Sequence, residues 1–233
     1  QRVWHWWQNY ARQAREAKHI IAVSEYTKAD LVQILKIPPE KISVIYSGIG
    51  PEFKKISQDN SELTNYKLTN QLTRPYFLFI GTLEPRKNIP TLIKAFGLLK
   101  KDPQFKDYEL IIAGRPGYKA TSLGSPTSLD SVKFLSNVSD AERPMLYNQA
   151  RAFVFPSWFE GFGFPPLEAQ ACGTPVVASD RTSIPEILGN SAIYFNPWKT
   201  SELAEQMARV ATDNTLRQTL IEKGLANAAR FTW

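Results

Sequence analysis

The chain has 233 residues, an apolar fraction of 43% and a formal net charge of +6, room for one large domain or for one domain and a piece of another. Its single cysteine, Cys172, excludes an internal disulfide framework and fits a reducing compartment, and two unclustered histidines argue against structural zinc. The charge points to anionic partners, but the cations are scattered and no RNA-binding sheet or zinc-finger spacing occurs, so phosphates are favoured over nucleic acid.

In chain order, residues 4–19 read as a helix. Trp4, Trp6, Trp7 and Tyr10, with Arg2, Arg12, Arg15 and Lys18, form a basic aromatic stretch there. Packing against another part of the protein is favoured for it over peripheral contact with an anionic membrane. Strands at 20–23 and 42–46 flank a helix at 26–35. Residues 54–74 are polar, carry no strong period and read as a linker or surface excursion. Strands then follow at 76–81, 109–114, 132–138, 152–156, 175–179 and 192–195. They alternate with helices at 90–101, 140–150, 166–172, 184–188 and 201–212, and a last helix covers 215–229. A polar insertion at 115–128 reads as a surface loop rather than a lid. The alternation predicts an α/β fold, a Rossmann-like parallel sheet with helices on both faces. No apolar run reaches the ~18 residues that span a bilayer. The opening Gln1-Arg2-Val3-Trp4 lacks a signal-peptide plan, and the end lacks a helix C-cap, so the chain reads as a segment trimmed at both ends.

Ligands of open α/β sheets bind beyond the carboxyl ends of the strands. The loop Glu160-Gly161-Phe162-Gly163-Phe164-Pro165-Pro166 lies there and brings Glu160 near the helical Glu168. Ionised carboxylates are acceptor-only and suit sugar or ribose hydroxyls, while the glycines admit close backbone approach. Pro165 and Pro166 suit the start of a helix whose N–H groups attract anions. The bland reading of Glu168 is an acid in the first helical turn, that of Glu160 a solvated loop acid. Arg86 and Lys87, in Gly81-Thr82-Leu83-Glu84-Pro85-Arg86-Lys87-Asn88, precede a helix that Asn88 would cap. Cations there oppose the helix dipole unless an anion such as a diphosphate lies between. Ser139 and Glu142 have capping-box spacing at the end of a strand, where a nucleobase edge could also sit. Gly114-Arg115-Pro116-Gly117 is a weak dinucleotide signal. Cys172 reads as a packed apolar group, and neither His5 nor His19 receives a catalytic role.

Taken together, these segments, with Ile21 to Thr27, Val44 to Ile49, Ile111 to Gly114, Thr174 to Ser179 and Ile184-Pro185-Glu186, resemble the carboxyl-terminal half of glycosyltransferase family 4, the group-1 enzymes of GT-B fold. The resemblance implies that residues 1–50 are the tail of an amino-terminal acceptor domain and 51–233 a nucleotide-sugar-binding domain. It implies a catalytic Glu160 contacting the transferred sugar, Glu168 on the ribose hydroxyls, and amides of Gly161, Phe162 and Gly163 facing sugar or phosphate oxygens. Arg86 and Lys87 would hold the diphosphate, and Val138 and Ser139 would sit by the base. The implied activity is transfer of a hexose, with retention, to a saccharide or lipid-linked acceptor, without metal or other cofactor. Consistent with that, the chain has no Asp-x-Asp signature. The cytoplasm is the expected location, with peripheral contact at the inner membrane face as a variant. Thr82 stands where many relatives carry arginine, which places more of the phosphate binding on Arg86 and Lys87. The family's cleft histidine belongs to the other domain, so this part is expected to bind donor better than it turns over. Gly81 to Asn88 looks most like mannosyltransferase-type members, which makes GDP-mannose the first donor expectation. The alternatives are a catalytically inactive nucleotide-sugar-binding module and a sugar-nucleotide epimerase or phosphorylase of the same architecture.

Overall fold

The structure is a computed structural model that describes residues 9–57, 59–115, 117 and 130–233. The aromatic start of the basic stretch, His5, and the polar insertion after Arg115 apart from Gly117 lie outside the described residues.

Helix α1 (Tyr10–Glu16) leads into a small unit of β1 (Ile20–Ala22), α2 (Glu25–Leu35) and β2 (Ile42–Val44), whose strands pair in parallel. Its own core is Ala22, Ile37 and Ile42. The strands that follow are β3 (Tyr76–Ile80), β4 (Glu109–Ala113), β5 (Val132–Leu135), β6 (Ala152–Phe155), β7 (Val176–Ser179) and β8 (Ile193–Phe195). They form one sheet of order β5-β4-β3-β6-β7-β8 with every pair parallel. β3, β4, β6 and β7 are buried at every position, as parallel strands covered on both faces must be.

The chain winds outward from β3 through β4 to β5, then returns beside β3 and winds the other way from β6. Right-handed crossovers in opposite directions place α4 (Ile89–Leu99) and α6 (Phe164–Ala171) on opposite faces. α4 packs on α8 (Thr200–Thr212), and α6 on α9 (Asn214–Ala228) and α5 (Glu142–Gln149). The short α7 (Ile184–Leu188) connects β7 to β8. The reversal between β3 and β6 is the switch point of a doubly wound sheet, where a crevice opens at the strands' carboxyl ends.

The strands expected from sequence are all present, with ends within three residues of those read. Residues 54–74 correct the linker reading. They contain helix α3 (Ser61–Thr69), capped by Asn60 Oδ1 accepting from Leu63 N at 3.0 Å. Only Leu63 of that helix is buried, beside the following Leu72, so no amphipathic stripe marked it. The strap before it is pinned to α5: Ile56 N donates to Asn148 Oδ1 at 2.7 Å, and Asn148 Nδ2 to Lys54 O at 3.0 Å.

Candidate active site at the switch point

The loops after β3 and β6 meet across the crevice. After β3 the chain passes Gly81 into a 3-10 turn, Pro85–Lys87, that folds Lys87 inward until only 6% of it is exposed. Lys87 Nζ donates to Glu160 Oε1 at 2.6 Å and lies 5.0 Å from the centre of the Phe155 ring. Arg86 Nη1 donates to Glu160 Oε2 at 2.8 Å and to Phe159 O, while its Nε reaches Glu84 Oε2 at 2.9 Å. The anion between the two cations is therefore Glu160 itself, one carboxylate oxygen to each. Arg86 Nη2 has no partner among the described residues, and this side chain is 44% exposed. Burial lowers the Lys87 ammonium pKa, and the Glu160 charge only partly offsets it. Burial also acts against the Arg86 guanidinium, but Glu160 and Glu84 outweigh it and the net shift is upward.

Asn88 sits at the start of α4 but does not cap it with its side chain. In the left-handed conformation (φ 55°) its Nδ2 donates to Pro156 O at 3.2 Å and Pro197 O at 3.3 Å. Asparagine tolerates that conformation better than most residues, and here it ties the loops after β3, β6 and β8 together.

The loop after β6 is held through its carbonyls. Ser183 Oγ donates to Glu160 O (2.9 Å) and Phe162 O (3.0 Å), and Thr182 Oγ1 accepts from Glu160 N at 3.0 Å. From the small unit, Ser24 Oγ and Thr27 Oγ1 lie 2.7 and 3.2 Å from Gly161 O. With the carbonyls anchored, the N–H groups of Gly161, Phe162 and Gly163 find no acceptor among the described residues. Gly163 begins α6 with φ 115°, a conformation open to glycine, and so α6 starts at Phe164. Pro165 and Pro166 remove two of the donors a helix start usually offers. The donors available to an anion are thus the three loop amides rather than the helix's own.

Glu168 is not the first-turn acid of the bland reading. It lies in the second turn of α6, 6% exposed, with Arg143 Nη2 against Oε1 and Tyr147 OH donating to Oε2 at 2.8 Å. Burial opposes the charge of Arg143, but Glu168 more than restores it and its pKa is raised; burial also pushes the Tyr147 phenol well above its ordinary value. Arg143 and Tyr147 were missed in the sequence, although their i, i+4 spacing on α5 marks a shared face.

Ser139 and Glu142 make half a capping box. Glu142 Oε2 accepts from Ser139 N (2.9 Å) and Ser139 Oγ (2.7 Å), which lowers the Glu142 pKa. The Ser139 hydroxyl donates rather than accepts, so the helix has no side-chain cap there, and the Ser139 carbonyl instead accepts from Glu142 N at 3.1 Å and Arg143 N at 3.2 Å. Half-buried Val138 packs on the main core at the carboxyl end of the outer strand β5. The candidate residues thus divide into two clusters on one rim: Arg86, Lys87, Glu160 and the 161–163 amides at the switch point, and Glu168 toward Ser139 and Val138. A separate apolar cavity of about 540 Å³ beside Phe53, Ala171 and Phe231 offers few polar groups. His19 bridges β1 and β2 through Ser43 Oγ at 2.9 Å, a structural place.

A 3-2-1-4-5-6 parallel sheet with acids, cations and free amides gathered at its switch point defines a Rossmann-like α/β protein of the GT-B kind. The chain belongs to the group 1 glycosyl transferases: that family's model matches residues 61–226, and the model of glycosyltransferase family 4 matches residues 1–53. It is 33% identical over 225 residues to O-antigen chain mannosyltransferase B of Escherichia coli, covering 93% of this chain and 58% of the relative. It is 36% identical over 189 residues to the O-antigen chain mannosyltransferase RfbU of Salmonella typhimurium, covering 78% and 48%. The chain thus spans about half the length of these curated relatives. Among solved structures, Anabaena HepE in complex with UDP and glucose superposes with a TM-score of 0.80 at 24% identity, over 99% of this chain and 64% of that one. The sucrose-phosphate synthase of Thermosynechococcus elongatus superposes with a TM-score of 0.79 at 22% identity, over 96% and 57%. Among the described residues no helix is long and apolar enough to cross a membrane.

Proposed function

We propose that this chain is the donor-binding part of a retaining glycosyltransferase that moves a hexose from a nucleoside-diphosphate sugar to a saccharide or lipid-linked acceptor. The observation that carries the reading is the switch-point cluster, where two cations share the Glu160 carboxylate and the next three backbone amides have no acceptor among the described residues. A diphosphate would lie against those amides and the outer face of Arg86, and Glu160, drawn between two cations, would meet the sugar. From there to Val138 and Ser139 is about three strand spacings, ~14 Å, and Glu168 is linked to the 139–142 segment through Arg143, which also pairs with Asp140. That order suits an elongated ligand: sugar and phosphates at the switch point, ribose at Glu168, base at the β5 edge.

In the reaction the bond from the sugar C1 to the diphosphate oxygen breaks and a bond from the acceptor oxygen to C1 forms on the same face. The acceptor proton passes to the departing phosphate oxygen. Arg86 and Lys87 stabilise the charge that builds on that oxygen, a preorganised contribution in a partly buried site. No metal or cofactor is assigned a part. The names of the E. coli and Salmonella relatives favour mannose as the sugar, and GDP-mannose is the first donor to try. We assign residues 1–50 to the acceptor-side domain and 51–233 to the donor domain. The cytoplasm, with the acceptor at the inner membrane face, is the matching location.

Calorimetry with GDP, UDP, ADP, GDP-mannose and UDP-glucose tests the reading. One diphosphate should bind preferentially. Lys87→Ala and Glu168→Ala should each weaken it ~10- to 100-fold, the worth of a hydrogen bond to a charged group. Binding left untouched by both substitutions sinks the assignment.

A further inference from the structure

We propose that Arg143 and Tyr147 are positioning residues that present Glu168 as a two-pronged reader of a vicinal diol, making this site selective for ribonucleotides over 2′-deoxyribonucleotides. The inference rests on the donor-site reading of Glu168 above and extends it to the groups that aim the carboxylate.

An ionised carboxylate has about four lone-pair sites, two on each oxygen. In Glu168 one protein donor meets each oxygen: Arg143 Nη2 at Oε1 and Tyr147 OH at Oε2. No other described residue donates to either. Acceptor capacity therefore remains on each oxygen, so two neighbouring hydroxyls can donate one bond to each. A single hydroxyl can use only one of these acceptor sites, so the second would be left unpaired in a mostly desolvated place.

Both holding residues are themselves fixed. Tyr147 is fully buried, and its ring meets Phe153 at 5.4 Å and Phe53 at 6.1 Å. Arg143 lies 5.1 Å over the same Phe53 ring, and its Nη1 donates to Asp140 Oδ1 at 3.2 Å. Phe53 thus braces both, and the strap that carries it is pinned to Asn148, the residue after Tyr147 in α5. Arg143 and Tyr147 are each seen donating once to Glu168, so together they leave acceptor capacity on both oxygens for the diol. Their approach also fixes the carboxylate's rotation, on which a bidentate contact depends. A residue that merely filled space here would support the fold without affecting which sugar binds.

The experiment compares Kd for GDP and 2′-deoxy-GDP, with UDP and 2′-deoxy-UDP alongside, in the wild type, Tyr147→Phe, Arg143→Lys and Glu168→Gln. The wild type should prefer the ribonucleotide by ~10-fold or more, and Glu168→Gln should abolish the preference. Tyr147→Phe keeps the ring packing and Arg143→Lys keeps the charge, yet each should reduce the preference to about threefold or less. Thermal unfolding of each variant separates lost aim from lost fold, and either folded variant suffices. If both folded variants keep the wild-type ratio while Glu168→Gln loses it, the positioning role is overturned and the donor site stands. If the wild type binds without preference, or Glu168→Gln retains it, Glu168 does not read the ribose and the inference falls with that reading. Failure of both diphosphates to bind overturns the donor site itself.

Discussion

Lys87 Nζ and Glu160 Oε1 are 2.6 Å apart, and both residues are more than nine-tenths buried. Their loops follow different strands, so the ion pair clamps the two sides of the switch-point crevice. The partners are not equivalent, because Glu160 has a second cation in Arg86 whereas Lys87 has no second carboxylate in contact among the described residues.

Removing one partner of a buried pair leaves an uncompensated charge, at a cost of about 3–5 kcal/mol. Glu160→Ala should approach that figure in urea denaturation, and Lys87→Met should cost clearly less, since Arg86 still balances Glu160. The variants should also differ in pH response. Burial already lowers the Lys87 pKa in the folded chain, and without Glu160 it falls further. The unfolded chain then binds more protons than the folded one below the ordinary lysine value of ~10.4. Glu160→Ala should therefore recover stability as pH rises toward that value. Equal losses for the two variants would mean that Arg86 does not share the carboxylate as the distances indicate.

The glycines of the site divide by what surrounds them. A Cβ on Gly114 would lie 1.9 Å from Gly81 O, a backbone atom of the neighbouring strand end. Gly114→Ala must prise β3 from β4 at the crevice, and overpacking of this kind costs about 1–3 kcal/mol or more. A Cβ on Gly161 would meet Thr27 Oγ1 at 3.6 Å and Val23 Cγ2 at 3.9 Å, ordinary contacts, with no positive φ. Gly161→Ala should leave the unfolding midpoint within a degree or two, and a loss of nucleotide binding in it would report close approach of ligand to the 161 amide. A large fall in stability for Gly161→Ala, or none for Gly114→Ala, contradicts this division.

The β3 and β6 loops were legible because their chemistry is local in sequence. Strand, glycine, paired charges and helix start follow within a few residues, and α/β topology puts every such turn on one rim. The partnership of Glu160 with Arg86 and Lys87 was not legible, since it spans 74 and 73 residues and depends on β3 lying beside β6. α3 was invisible for a different reason: a helix held by one cap and one buried leucine has no stripe to read. Asn88 carried a true boundary signal, but its side chain serves tertiary contacts that the capping rule does not foresee. The role of Glu186 was hidden in the same way, because its partners lie 160 residues away.

Glu186, in the first turn of α7, accepts from Glu25 N at 2.6 Å and Tyr26 N at 3.0 Å, at the start of α2. It also receives the Tyr46 hydroxyl, whose pKa is raised first by burial and then by this contact. Beside it, Ser24 and Thr27 hold Gly161 O, so this staple fastens the small unit to the loop that carries Glu160. Glu186→Ala should cost about 1–2 kcal/mol, the upper range for loss of an N-terminal helix cap. Its mark should be faster hydrogen exchange at the 25–28 amides of α2 with the β3–β7 amides unchanged. Uniformly faster exchange would show instead that the two units unfold as one.

Cys172 is the sole cysteine, buried at the end of α6 one turn beyond Glu168. Burial, with the Glu168 charge adding to it, pushes its thiol up to about 12. At pH 8 the folded chain then holds ~10⁻⁴ of it as thiolate, against roughly a quarter for a free cysteine of pKa ~8.5. A disulfide reagent should leave the native protein unlabelled at pH 8 and label one thiol per chain in denaturant. The linkage sign follows: between ~8.5 and about 12 the folded state holds a proton that the unfolded state has lost. Stability should fall as pH rises through that window, and Cys172→Ala should flatten the decline at the price of a small cavity. Prompt labelling of the native chain at a rate indifferent to denaturant would place the thiol at the surface and remove this account of the α6 end.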